Sequence, residues 1–256
     1  MEPAEYQRIF DHEGSHFWYR GLHALVLGTL RRELPATRDA GRAAGGGSGA
    51  AYEFLDAGCG TGGLGVQLLR LGRVTGVDWS PLALELAGRR GLPRLLRGSV
   101  SALPLADAAF DAVICCDVLY HRGVRDDAAA LAELARVCRP GGLILLNLPA
   151  HAWMSGSHDR QVHTARRYER ADLRRLAAGA GLSVVRLAWF NCALLPAAAL
   201  VRAASRGGED KASDVRALPA ALNAPLSAWM RLEARAASRG WLPWGLSVFA
   251  VLRKPG

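Results

Sequence analysis

A glycine-rich run between residues 56 and 63 has the residue types of a cofactor-binding loop. Its members are Asp56, Ala57, Gly58, Cys59, Gly60, Thr61, Gly62 and Gly63, and it lies between a short apolar stretch and a helical pattern. Glycines let the backbone approach a ligand closely, and the free N–H groups at the start of a helix attract an anion. The run therefore predicts a cofactor-binding loop between a strand and a helix.

Asp78 adds a second feature of such a site. It follows Asp56 by 22 positions and ends the next apolar stretch. A carboxylate at this place in a doubly wound sheet can accept hydrogen bonds from both ribose hydroxyls of an adenosine. Gly58, Gly60 and Gly63 also satisfy the GxGxxG pattern, so an NAD-dependent oxidoreductase is an alternative at this point.

Reactive side chains are also concentrated between residues 151 and 168, after the strand predicted at 143–148. Loops that leave the carboxyl ends of parallel strands commonly bind ligands. We predict His158, or His121 at the end of the fourth strand, as a general base, with Asp159 orienting a histidine. The residues predicted to contact the substrate are Tyr120, His151, Trp153, His163, Arg167 and Tyr168. The alternative is that these residues cap helices and order the loop, and their irregular spacing argues against a metal site.

The segment from His12 to His16 has the HExxH pattern of zinc proteases. That pattern requires both histidines on one helical face, and Gly14 would cost about 1 kcal/mol inside a helix. We therefore disfavour a zinc hydrolase. The aromatic residues that follow, Trp18 and Tyr19, and the adjacent Arg20 are predicted to form a lid over cofactor or substrate, or else to fix the helix to the core.

Short apolar runs alternate with helical segments from residue 52 onward, which is typical of a parallel sheet covered by helices. Strands are predicted at 52–56, 73–78, 94–97, 110–116, 143–148, 183–190 and 247–253, and helices at 63–71, 81–90, 128–137 and 172–180. Residues 9–34 have the pattern of one or two amphipathic helices. The predicted fold class is α/β, with a Rossmann-like, doubly wound sheet.

We divide the chain into three predicted parts. Residues 1–35 form an N-terminal helical lid, residues 36–50 form a flexible low-complexity linker, and residues 51–256 form the Rossmann-like domain. Within that domain, residues 191–243 are longer than an ordinary connection and have helical patterning. We predict that they are a late helical insertion that covers the substrate.

The composition favours a cytoplasmic protein. The 256 residues carry a net charge of +9, and charge alone permits only non-specific attraction to nucleic acid. Every basic residue except Lys211 and Lys254 is an arginine or histidine, so we attribute the charge to the composition of the whole chain. The N-terminus lacks the pattern of a signal peptide. The apolar stretch at 194–201 is too short to span a membrane, although contact with a membrane surface stays open.

Four collinear segments resemble the class I S-adenosylmethionine-dependent methyltransferases, and most closely the group of ubiquinone- and menaquinone-type enzymes. The segments read LDAGCGTGG, GVDWSPLALELA, LPLADAAFDAVICCDVLYH and LAELARVCRPGGLILL, and they lie within residues 52–150. The resemblance implies a seven-stranded, mostly parallel sheet with helices on both faces and an antiparallel last strand. It also implies S-adenosyl-L-methionine as the cofactor and S-adenosyl-L-homocysteine as the product.

The same resemblance assigns roles to individual residues. Gly58, Gly60 and Gly62, with Cys59, line the methionine half of the cofactor, and Asp56 orders the loop. Asp78 binds the ribose hydroxyls, and Trp79 packs against the adenine. Ser99 and Val100 lie at the adenine edge, where the family commonly has Asp in place of Ser99. Asp117, Val118 and His121 lie where the fourth strand meets the methyl group and the substrate.

The sequence therefore predicts methyl transfer to a small molecule, such as a secondary metabolite, a glycan or a lipid-linked sugar. An RNA-directed methyltransferase is the first alternative, and an NAD-dependent oxidoreductase is the second. The sequence identifies neither the acceptor atom nor the oligomeric state.

Overall fold

The computed structural model describes residues 2–34, 51–154, 164–196 and 219–256. Within these ranges the helices are α1 (Pro3–His12), α2 (Phe17–Glu33), α3 (Gly63–Leu68), α4 (Pro81–Arg89), α5 (Asp127–Val137), α6 (Arg170–Gly179) and α7 (Ala220–Ala237). The strands are β1 (Tyr52–Ala57), β2 (Gly72–Asp78), β3 (Leu95–Arg97), β4 (Phe110–Cys116), β5 (Cys138–Pro149), β6 (Ser183–Phe190) and β7 (Ser247–Arg253).

The seven strands form one sheet in the order β3-β2-β1-β4-β5-β7-β6. β1 to β5 pair in parallel, whereas β7 runs antiparallel to both of its neighbours, β5 and β6. The predicted α/β fold with an antiparallel last strand is therefore confirmed. The strand order reverses between β1 and β4, and ligands of doubly wound sheets bind at the carboxyl ends of the strands at such a switch point.

Alternate residues of the strands point to opposite faces of the sheet, because side chains in a strand alternate with a period of two. Phe54 and Ile114 contribute to the core on the face covered by α2, α3 and α7. Leu55 and Val113 contribute to the core on the face covered by α5 and α6. Since the central strands are buried on both faces, they have the nearly continuous apolar sequence that predicted them.

The predicted boundaries of the elements differ from the structure mainly at β5. We expected residues 139–142 to be a break, but β5 begins at Cys138, directly after α5. Cys138 pairs with Phe110 and Leu143 pairs with Ala112, so the strand passes through an irregular register that accommodates Gly141 at φ 76°. α3 also ends at Leu68, three residues earlier than predicted.

The predicted N-terminal helical region consists of α1 and α2, joined at residues 13–16. The inner face of α2 is buried in the core, through Leu25, Val26 and Leu30. α7, which lies within the predicted insertion, packs along α2, and a Cβ on Gly21 would lie 2.9 Å from the Met230 side chain. The linker at 36–50 and residues 197–218 of the insertion lie outside the described residues, and the lid and cover roles stay predictions.

Candidate cofactor and active site

The glycine-rich loop lies between β1 and α3 and uses backbone conformations that favour glycine. Gly58, Gly60 and Gly62 have φ angles of 81°, 52° and 80°. The Gly58 N–H donates to the Val77 carbonyl oxygen at 2.7 Å, which ties the loop to the end of β2. A Cβ on Gly58 would lie 2.3 Å from Val118 Cγ2, so this position tolerates no side chain. The contact brings the loop after β1 next to the turn after β4, two segments that the sequence predicted at one site.

Asp78 joins the loop to the end of β2. Its Oδ2 accepts a hydrogen bond from the Gly60 N–H at 2.9 Å, and its Oδ1 accepts one from the Ser80 N–H at 2.9 Å. Burial raises the pKa of the Asp78 carboxyl, while these backbone hydrogen bonds oppose the rise. The next residue, Trp79, is 68% exposed, with the Arg97 guanidinium 5.4 Å from its ring centroid. The carboxylate is thus fixed in place beside an aromatic surface that a planar ligand could cover.

Asp56 lies beneath the loop and is only 4% exposed. Burial, with the negative charges of Glu13 and Asp78, raises its pKa to about 7. Among the described residues, its buried Oδ2 atom accepts no hydrogen bond of regular geometry, while the Gly65 backbone opposes the rise in its pKa. A carboxylate oxygen in this state suits a cationic group, because the attraction would offset part of its desolvation.

Asp117 follows β4 in a strained backbone conformation. Its φ angle is 60°, which is uncommon for a residue other than glycine, and such strain is concentrated at functional sites. The Asn147 amide Nδ2 donates to both carboxylate oxygens, at 3.1 and 3.2 Å. Burial raises the pKa of Asp117 to about 7 although the Asn147 amide lowers it. Asp117 can therefore exchange a proton near neutral pH.

The N-terminal helices approach the carboxylates of Asp78 and Asp117. Tyr6 of α1 interacts with Asp78 and Ser80, and burial together with the Asp78 charge raises the pKa of its hydroxyl. Tyr19 of α2 has a raised pKa, chiefly from burial, with contributions from the charges of Glu13 and Asp117. Trp18 packs edge-on against Tyr19 at 4.9 Å, and Arg20 is exposed. Tyr6 and Tyr19 thus lie near the two ends of the site.

The HExxH segment does not form one helix. α1 ends at His12, and His16 is the N-cap of α2, where its Nδ1 accepts a hydrogen bond from the Trp18 N–H at 3.4 Å. The two histidines therefore lack the shared helical face that zinc binding by this motif requires. Glu13, between them, is buried against the glycine-rich loop. Among the described residues, no group of three His, Cys, Asp or Glu side chains could hold a metal ion.

Several of the predicted substrate-binding residues have partners within the chain. His151 lies between the Glu169 carboxylate and the Gly245 carbonyl oxygen, 3.3 and 3.0 Å from its two ring nitrogens. Arg167 donates to the Ala150 carbonyl oxygen at 2.9 Å. The buried Tyr168 hydroxyl donates to Asp127 Oδ2 at 2.8 Å, while Trp153 is 65% exposed. Their contact with a substrate stays a prediction.

The remaining predicted residues are divided between the site and the undescribed loop. The Tyr120 carbonyl oxygen accepts a hydrogen bond from the Ala165 N–H, and His121 pairs with Thr164, so the turn after β4 holds residues 164–165. Ser99 and Val100 follow β3, with Val100 buried. Cys59 is buried in the loop. His158, Asp159 and His163 lie outside the described residues.

Sequence reasoning missed three residues of this site: Glu13, Asn147 and Arg90, which donates to the Thr61 carbonyl oxygen of the loop. Asn147 carried a signal, because it is the one amide in the apolar run of β5 and a buried amide requires partners. Glu13 stood inside the HExxH pattern, but the pattern suggested a metal ligand. Its actual partners, Thr61 and Gly63, lie 48 and 50 residues away.

Comparison with known proteins agrees with this geometry. Residues 55–146 match the model of a family described as a methyltransferase domain. A malonyl-[acyl-carrier protein] O-methyltransferase of Serratia marcescens is 40% identical over 121 residues, which are 43% of this chain and 47% of that protein. A probable S-adenosylmethionine-dependent methyltransferase of Mycolicibacterium smegmatis is 32% identical over 176 residues, 66% of this chain and 60% of that protein. The chain spans about half the length of the curated relatives it matches.

A solved structure from Thermotoga maritima has the same fold. It is described as a SAM-dependent methyltransferase and possible histamine N-methyltransferase, and it aligns with a TM-score of 0.60 at 19% identity. The alignment covers 98% of this chain and 95% of that one. No helix among the described residues has the length and apolarity needed to cross a bilayer. Residues 55–146 thus match a methyltransferase domain, and the fold and the four collinear segments support the resemblance to the class I S-adenosylmethionine-dependent methyltransferases.

Proposed function

We propose that this chain transfers a methyl group from S-adenosylmethionine to an ionisable oxygen of a small-molecule acceptor. The observation that carries the proposal is the contact between Gly60 and Asp78, which joins the glycine-rich loop to the carboxylate that would bind the ribose. The acceptor chemistry is supported by relatives named malonyl-[acyl-carrier protein] O-methyltransferase and ubiquinone biosynthesis O-methyltransferase. A secondary metabolite, a glycan or a lipid-linked sugar with a free hydroxyl or carboxyl group would fit this class.

The residues present fit S-adenosylmethionine. The buried Oδ2 of Asp56, which accepts no hydrogen bond of regular geometry from the described part of the chain, would favour the cationic methionine part of the cofactor. Gly58, where a Cβ would meet the Val118 side chain, lets the loop pack against the turn after β4. Asp78 would accept from the ribose hydroxyls, and Trp79 would pack on the adenine. When bound, the cofactor supplies a methyl group that its sulfonium makes electrophilic.

Asp117 is the described residue best suited to accept the proton of the acceptor. A general base is most effective when its pKa is close to the working pH, and burial raises the pKa of Asp117 to about 7. The Asn147 amide holds both oxygens of this carboxylate in place. Alignment of the acceptor would supply a further large part of the rate enhancement, as in other displacement reactions. His121 and His158 stay alternative bases, and Asp159 stays a candidate to orient one of them.

The test is product formation with a panel of acceptors. Purified protein is incubated with S-adenosylmethionine and with carrier-bound carboxylic acids, phenols, sugars, amines or total RNA, and S-adenosylhomocysteine is measured by mass spectrometry. We expect methyl transfer to an oxygen acceptor and its loss in the Asp117→Asn variant. Transfer only to RNA or only to amines would overturn the acceptor class. Binding of NAD without S-adenosylhomocysteine formation would overturn the reaction.

A further inference from the structure

The corner between α1 and α2 contacts the glycine-rich loop through a single buried carboxylate. Glu13 is 7% exposed, and its Oε2 accepts hydrogen bonds from the Thr61 hydroxyl at 2.6 Å and from the Gly63 N–H at 3.2 Å. Thr61 and Gly63 belong to the loop proposed to bind the cofactor. An acceptor at the first N–H groups of a helix satisfies donors that have no partner within the helix. Glu13 therefore caps α3 from a separate part of the chain.

The Arg90 guanidinium and the His23 imidazole lie beside this carboxylate. Arg90 Nη2 lies 3.4 Å from Glu13 Oε2, and His23 Nε2 lies 3.6 Å from Oε1. Burial would raise the pKa of Glu13, but His23, Thr61 and Arg90 together hold it below its ordinary value. The carboxylate is thus ionised at neutral pH, as a hydrogen-bond acceptor for the loop must be.

Arg90 also connects the same two segments directly. It donates to the Thr61 carbonyl oxygen at 2.9 Å and to the Phe10 carbonyl oxygen at 2.8 Å, and it lies 4.5 Å from the centroid of the Phe10 ring. The last turn of α1 and the loop are therefore joined by a charged network with Glu13 at its centre. A buried carboxylate that lost these partners would destabilise the contact strongly.

Gly63 supplies an independent observation. A Cβ at this position would lie 2.1–2.4 Å from the carboxyl atoms of Glu13, whereas its backbone is helical and would accept alanine. Glycine at the third position of the GxGxxG pattern thus leaves room for the Glu13 carboxyl group, which Thr61 and Arg90 hold in place. This explains the residue without invoking a ligand at that position.

We infer that Glu13 is a positioning residue that holds the glycine-rich loop in its cofactor-binding conformation and fixes the N-terminal helices beside it. The inference rests on the proposed function. Tyr6 and Tyr19, which flank Glu13 in sequence, lie near Asp78 and Asp117, so release of the corner would also release both tyrosines from the site.

The first experiment compares cofactor affinity in Glu13→Ala, Glu13→Gln and wild-type protein. The exposed Glu85, on α4, gives the matched control Glu85→Gln. Binding of S-adenosylhomocysteine is measured by calorimetry at a temperature where circular dichroism shows every variant folded. We expect about tenfold weaker binding for Glu13→Ala, which is about 1.4 kcal/mol, a smaller loss for Glu13→Gln, and no change for Glu85→Gln. Unchanged affinity in folded Glu13→Ala would overturn the positioning role.

The second experiment is a double-mutant cycle of Gly63→Ala and Glu13→Ala, read as melting temperature without ligand. Gly63→Ala alone should lower the melting temperature, and the same substitution in the Glu13→Ala background should lower it much less, because the clashing carboxyl is gone. An equal decrease in melting temperature from Gly63→Ala in the wild-type and Glu13→Ala backgrounds would contradict the inferred contact between Gly63 and Glu13. Failure of wild-type protein to bind S-adenosylhomocysteine would instead overturn the proposed function, and this cycle would still test the contact.

Discussion

Glu13 and Asp117 are two carboxyl groups of the same site in opposite environments. Glu13 is met by Arg90, His23 and the donors of the loop, and its pKa is lowered against the effect of burial. Asp117 is held by the neutral Asn147 amide, and burial raises its pKa to about 7. Glu13 is an N-terminal residue docked on the loop after β1, whereas Asp117 lies in a strained turn after β4.

The difference indicates two kinds of task. A carboxylate with neutralising partners keeps its charge and fixes structure, whereas one with a raised pKa can take up and release a proton at neutral pH. Enzymes commonly separate the pKa values of two acidic groups in this way to give them different roles. We therefore expect substitutions at Glu13 to act on cofactor binding and substitutions at Asp117 to act on turnover.

The largest expected effect is that of Asp117→Asn on turnover. Loss of a general base typically lowers the rate about 100-fold or more, while asparagine keeps an oxygen that can accept from Asn147. We expect this loss in kcat with S-adenosylhomocysteine affinity within about threefold of wild type, a change of under about 1 kcal/mol.

The control for Asp117→Asn is Asp107→Asn, a surface residue whose side chain is 76% exposed. A pH profile of the wild-type kcat should rise with an apparent pKa near 7 and lose that step in Asp117→Asn. A wild-type profile that is retained in the variant would assign the base to another residue, such as His121.

The next largest effect expected is on the pH dependence of the unfolding free energy, which should differ between Asp117 and Glu13. The pKa of Asp117 in the folded chain, about 7, is above the value of about 4 expected when unfolded. Its contribution to stability is therefore fully present below about pH 4 and is lost as the pH rises through about 7. Asp117→Asn, which cannot ionise, should gain about 4 kcal/mol relative to wild type over this range, since a pKa difference of one corresponds to about 1.4 kcal/mol.

The contribution of Glu13 to stability should change with pH in the opposite direction. Because its folded pKa is lowered, its contribution is present above an unfolded value of about 4.3 and is lost as the pH falls through the folded value. Glu13→Gln should therefore be less stable than wild type at pH 7, with the difference shrinking in acid. Urea denaturation of wild type, Asp117→Asn and Glu13→Gln from pH 3.5 to pH 8 measures both pH dependences. If the unfolding free energy of the variants changed with pH as that of wild type does, the contrast between Asp117 and Glu13 would be refuted.

A smaller effect is expected at Trp79. If its exposed ring packs on the adenine, Trp79→Ala should weaken S-adenosylhomocysteine binding about three- to tenfold, in line with the energy of an aromatic contact. Trp79→Phe should restore part of the affinity. Trp241, which is 71% exposed, provides the control Trp241→Ala. Equal affinities in all three variants would remove Trp79 from the cofactor site.

The sequence predicted the fold well where local pattern and tertiary structure agree. β6 and β7 begin and end where their apolar patterns predicted, at Ser183–Phe190 and Ser247–Arg253. The start of β5 was wrong because Pro140 and Gly141 suggest a break locally, whereas pairing of Cys138 with Phe110 extends the strand. Register with a neighbouring strand is a long-range property that glycine and proline signals do not report.

The residues of the candidate site likewise fall into those with local sequence signals and those whose roles depend on distant partners. The glycine-rich loop and Asp78 are close in sequence order and have strong local signals, so the sequence predicted both. Asn147 had a signal in the sequence, but its role and that of Glu13 became visible only in the fold, because they depend on partners 30 to 50 residues away. His158, Asp159 and His163 lie outside the described residues, so their predicted roles stay predictions.

The most direct test of the central claim is a calorimetric titration of the purified protein with S-adenosylhomocysteine and, separately, with NAD. Asp78→Ala is the test variant, because its carboxylate fixes Gly60 and would accept from the ribose, and Asp107→Ala is the exposed control. We predict one S-adenosylhomocysteine site in wild type and Asp107→Ala, at least about tenfold weaker binding in Asp78→Ala, or about 1.4 kcal/mol, and no binding of NAD. Binding of NAD in place of S-adenosylhomocysteine, or equal S-adenosylhomocysteine affinity in Asp78→Ala, would contradict the account.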